Sequence, residues 1–127
     1  MMNGSVVHFE VPFDDGDRAR SFYRDVFGWQ IQPMPGMDYT IVSTGPAGDD
    51  GMPGEPGYIG GGMFQRAAPN STPVVVMAVD DIDATLAEVE ARGGATVRPK
   101  EPVGDMGFAA YFTDSEGNLM GLWQTAT

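Results

Sequence analysis

Over residues 6–11 apolar and polar positions alternate. Val7, Phe9 and Val11 fall on one side, and His8 and Glu10 on the other, which predicts a strand that Pro12 should end. Asp14, Asp15 and Asp17 follow and supply N-cap and first-turn carboxylates. The spacing then becomes helical. Ala19, Phe22, Tyr23, Val26 and Phe27 predict a helix over 17–27, closed by Gly28. Short strands at 29–32 and 39–44 flank the turn-like Pro33-Met34-Pro35-Gly36. Residues 45–57 are rich in Gly and Pro and read as a surface loop. A strand resumes over 58–65 with Gly60, Gly61 and Gly62 in its middle.

After a linker at 67–71 the same order of elements returns. Residues 73–79 form an apolar strand pattern, and Asp80 and Asp81 open a helix striped by Ile82, Leu86 and Val89. Gly93 and Gly94 should close it. Strands follow at 95–98, 108–113 and 119–124, with a loop at 99–107 and a turn at 114–118. The two halves also match in sequence. Asp14-Asp15 corresponds to Asp80-Asp81 and Gly28 to Gly93, and Gly62-Met63-Phe64-Gln65 corresponds to Gly121-Leu122-Trp123-Gln124. The first half is longer, and the 45–57 loop absorbs the surplus. An internal duplication follows: one 1–127 domain built from a module at 5–66 and a module at 72–125, each reading βαβββ.

With that repeat in view, the chain resembles the vicinal oxygen chelate superfamily, which includes glyoxalases, bleomycin resistance proteins and extradiol dioxygenases. The resemblance rests on Val7-His8-Phe9-Glu10-Val11, on Ala19-Arg20-Ser21-Phe22-Tyr23-Arg24-Asp25-Val26-Phe27-Gly28-Trp29, on Val79-Asp80-Asp81-Ile82-Asp83 and on Asp114-Ser115-Glu116-Gly117-Asn118-Leu119-Met120-Gly121-Leu122. It implies an α+β fold in which the two modules form a curved, mostly antiparallel sheet with helices on the convex side. It also implies a homodimer. The family's enzymes hold a divalent metal that binds two vicinal oxygens of the substrate, as a Lewis acid.

The resemblance puts that metal's ligands on the first and last strands of each module, at His8, Gly62 (or Gly61), Val74 and Gly121. Only His8 carries a donor, and three protein ligands are usual for a catalytic metal. The reading therefore calls for no cofactor, with a divalent metal as the alternative and His8 its surviving ligand candidate. Glu10 shares the face of His8, so both are candidates for proton transfer or ligand contact. Strand glycines at 60, 62 and 121 would open a cleft to a ligand. Phe64 and Trp123 share parity with Gly62 and Gly121. Tyr39, Tyr58, Met106, Phe108 and Tyr111 complete a candidate aromatic and Met-rich wall for a small organic ligand.

Charge narrows the partners. Eighteen acidic and seven basic residues give a formal charge of −11, which repels phosphate backbones and favours cationic molecules. With no cysteine, thiolate chemistry and disulfides are excluded. No apolar run is long enough to span a membrane, so the chain reads as cytoplasmic. The favoured reading is metal-free binding of a small organic molecule. Two alternatives stay open: a lyase, isomerase or ring-cleaving dioxygenase, and a partner-binding module.

Overall fold

The computed structural model describes residues 4–35, 39–46 and 58–126. It contains β1 (Ser5–Phe13), α1 (Gly16–Phe27), β2 (Gln30–Pro33), β3 (Thr40–Ser43) and β4 (Gly60–Gln65). Then come β5 (Val74–Ala78), α2 (Ile82–Ala91), β6 (Ala95–Val103), β7 (Gly107–Thr113) and β8 (Leu119–Thr125). The order βαβββ thus occurs twice, and the fold class is α+β. Two compact units hold these elements: His8–Pro73, and Met1–Val7 with Val74–Thr127.

In the first unit the strands lie in the order β2-β3-β4-β1. β1 and β4 run parallel, and the other pairs are antiparallel. Phe13, Val42 and Met63 are buried between this sheet and α1, with Phe9, Val11, Ala19 and Tyr23 against them. The N-cap of α1 is Asp15, whose carboxylate accepts from the Arg18 N–H. Gly28 ends the helix at φ 72°, a left-handed conformation that glycine adopts without a Cβ penalty. The apolar stripe of α1 is only partly covered. Tyr23 stacks on Trp29, while Phe22, Val26 and Phe27 remain exposed.

The second unit repeats the plan in the order β5-β8-β7-β6, with β5 and β8 parallel. Ile82, Leu86, Ala110, Phe112 and Leu122 form its core. Asp81 caps α2 by accepting from the Ala84 N–H, and Gln124 accepts from the Ile82 N–H.

Two strands run further than their prolines suggest. β1 passes through Pro12, because its pairing with β4 continues to Phe13 and Gln65. β6 includes Pro99 and Pro102, in place of the expected loop at 99–107. It is the last strand of its unit and its register shifts twice against β7, and an edge with bulges tolerates residues that lack an N–H donor. Most of the expected 45–57 loop, and Gly36 of the turn at 33–36, lie outside the described residues. No helix among the described residues is long and apolar enough to cross a membrane.

Candidate functional site

Residue chemistry converges on one face of the first unit. The parallel register sets His8 beside Gly60, Glu10 beside Gly62 and Pro12 beside Phe64. Successive strand residues point to opposite faces. His8, Glu10, Gly60, Gly62 and Phe64 therefore share a face, and Phe9, Val11 and Met63 point the other way into the core. Ile41 pairs with Gly62 and joins the first face.

Tyr39 completes it. It stands one residue beyond the Thr40–Met63 pair, which brings it opposite Phe64. The two rings lie nearly parallel, 5° apart in plane and 6.3 Å between centroids. The Tyr39 hydroxyl makes a 2.9 Å hydrogen bond with His8 Nε2. The ring lies over Gly62, so that a Cβ built there would collide with the hydroxyl and Cζ of Tyr39. Gly61 answers the same need on the core side, where the Phe9 ring fills the space of a Cβ. Gly61 and Gly62 are thus seats for two of the chain's own rings. This corrects the expectation that Gly62 leaves open room for a ligand.

Electrostatics on this face follow from burial. Desolvation lowers the His8 pKa below its ordinary value, which favours the neutral ring. Glu10 is 8% exposed on the same face. The residues present do not fit the family's metal. Among the described residues no three His, Cys, Asp or Glu side chains gather to hold an ion. At 62, where the resemblance puts a ligand, Tyr39 takes the room instead.

The remaining expected residues divide. In the second unit Gly121, Tyr111 and Trp123 share a face, because Tyr111 pairs with Gly121 and Ala109 with Trp123. Val74 and Val76 fill the space beside Gly121. Trp123 donates from Nε1 to Thr125. Phe108 is a correction: it points to the helix side, against the α2 core, with the Lys100 ammonium 4.4 Å from its ring centre. Met106 sits in the β6–β7 turn and is 66% exposed. Tyr58 packs over Gly45, and Arg66 pairs with Asp14. An open depression of 290 Å³ lies elsewhere in the second unit, among Thr85, Glu88, Arg92, Phe112 and Ser115. Arg92 there is bonded to Glu88. The contribution of Ile41 was missed from the sequence; its parity with Gly62 appears only once β3 is paired with β4.

Two βαβββ units with the first and last strand of each in parallel contact define the vicinal oxygen chelate architecture. Comparison with known proteins agrees. Residues 5–45 match the family described as "Bleomycin resistance protein-like N-terminal". A "Glyoxylase-like domain-containing protein" of Didymella fabae is 30% identical over 123 residues, covering 93% of this chain and 91% of that one. "Putative glyoxylase CFP32" of Mycobacterium tuberculosis is 33% identical over 118 residues, which is 87% of this chain but only 41% of that protein. The chain thus spans well under half the length of these mycobacterial relatives. Among solved structures, a variant of Streptomyces coelicolor methylmalonyl-CoA epimerase in complex with 2-nitronate-propionyl-CoA superposes with a TM-score of 0.64 at 16% identity, covering 98% of this chain and 100% of that one. The hypothetical protein BH1468 of Bacillus halodurans gives 0.65 at 12% identity, covering 98% and 96%. At such identities these structures speak for the fold. The chain belongs to the vicinal oxygen chelate superfamily, as a glyoxalase/bleomycin-resistance-like member.

Proposed function

We propose that this chain binds a small organic molecule, organic cations above all, on the face formed by His8, Glu10, Tyr39 and Phe64, and does so without a metal. The observation that carries this reading is the Tyr39–His8 hydrogen bond over Gly62. It commits the imidazole to a side-chain partner, on a face that also carries two parallel rings and the buried Glu10. Aromatic faces attract cations, and a carboxylate at their edge adds a charge-assisted contact. The formal charge of −11 would raise the local concentration of such ligands.

Calorimetry with benzyltrimethylammonium tests it. Saturable binding is expected, weakened about tenfold or more in Phe64→Ala and in Glu10→Gln, since each lost contact is of the order of 1.4 kcal/mol. No saturable binding, or affinity unchanged in both variants, contradicts it.

One observation favours a second reading. A neutral, half-buried His8 is suited to accept a proton, so a metal-free enzyme moving a proton through His8 is the alternative. A pH–rate profile left unchanged by His8→Ala would remove it. The homodimer implied by the resemblance belongs to the same proposal, and sedimentation velocity tests it.

A further inference from the structure

Tyr39 reaches its place only because residue 62 has no side chain. The ring lies over the Gly62 backbone, and its hydroxyl occupies the volume where a side chain at 62 would begin. From there it meets His8 Nε2 at 2.9 Å. Phe64, two residues along the same strand, flanks the ring and lies nearly parallel to it. Glu10, in register with Gly62, is the carboxylate of this face. A neutral imidazole has one donor and one acceptor nitrogen. A metal at Nε2 would have to displace the hydroxyl, and it would find no second ligand at 62.

We propose that Tyr39 is the positioning residue of this site: its hydroxyl replaces the side chain missing at 62, holds His8 through Nε2 and bars a metal ion from that nitrogen. The proposal deepens the metal-free reading above and rests on its choice of face. Residue 62 and Tyr39 then form a mutually exclusive pair: either a side chain stands at 62 or the Tyr39 ring does. In this form the site offers a ligand a hydroxyl–imidazole pair held together by the Tyr39–His8 hydrogen bond.

A double-mutant cycle on the full chain tests this. The substitutions are Gly62→Ala, Tyr39→Ala and both together, read by urea unfolding and by the ring-proton NMR signals of His8. This is the chain's single histidine, so the signals identify themselves. Gly62→Ala alone should lower the folding equilibrium constant at least tenfold and shift the His8 signals. In the Tyr39→Ala background the same change should cost less than threefold and leave the signals in place. Equal effects in both backgrounds would overturn the proposal.

Mn²⁺ supplies the second arm. Wild-type His8 signals should show no saturable broadening below millimolar Mn²⁺. Gly62→Glu combined with Tyr39→Ala restores a carboxylate and removes the ring, so it should broaden at no more than one-tenth of the Mn²⁺ concentration wild type requires. Stoichiometric broadening in wild type, or no gain in the folded double variant, would overturn the proposal. Should the Gly62 variants not fold, Tyr39→Phe decides, since it keeps the ring and deletes the hydrogen bond. Its His8 signals must move, and unmoved signals overturn the proposal. Failure of benzyltrimethylammonium to bind, with the cycle still coupled, would defeat the functional reading alone.

Discussion

His8 links the chemistry of the face to the stability of the chain. Burial lowers its pKa below the ordinary 6.5. The unfolded chain therefore binds a proton near pH 6.5 that the folded chain does not yet bind. Stability is full above that pH and falls as the pH drops through 6.5 toward the folded value. The urea midpoint should decrease between pH 7 and pH 5.5, and His8→Asn should flatten the decrease; an unchanged slope contradicts the burial. At this scale the sequence is legible where a residue's direction follows from alternation alone. His8 and Glu10 are two apart and share a face by that rule. Setting Phe108 and Tyr111, three apart, in one wall runs against that rule, and the structure turns Phe108 to the helix side. The part played by Tyr39 was not legible. It depends on a partner 31 positions away and on space left at Gly62, and neither leaves a local pattern.

Elements were read more reliably when their ends carry chemistry. Asp15 and Asp81 cap their helices by accepting from Arg18 and Ala84 N–H groups, and both were visible as acids ahead of an apolar stripe. Replacing either by Ala should cost about 1 kcal/mol in urea unfolding, the usual worth of such a cap. Ile82 begins α2 fully buried in the second core, so Ile82→Ala should cost about 2–5 kcal/mol by the same measurement. β6 runs through Pro99 and Pro102, past the strand end at 98 that the sequence pattern predicts. A proline breaks a strand only where its missing N–H is needed, and the outer, bulged strand of a unit does not need it.

Across the whole molecule the duplication carried most of the information. Matching caps, glycines and closing strands gave the α+β two-module plan without any tertiary contact. The resemblance puts the superfamily's metal ligands at four places, and of these only His8 carries a donor. The sequence could not show what fills the emptied places, because that depends on packing: Tyr39 at 62, and Val74 with Val76 beside Gly121. The excess of 18 acidic over seven basic residues acts at this scale as well. Binding of benzyltrimethylammonium should weaken as salt rises from 0.05 to 0.5 M, because the Debye length shrinks to about 4 Å; affinity independent of salt would show that the field plays no part. The most direct test of a metal-free site is calorimetric titration of the chelator-stripped chain with Ni²⁺. No saturable heat is expected below millimolar Ni²⁺, in wild type and His8→Ala alike. Tight one-to-one binding in wild type that is lost in His8→Ala would contradict it.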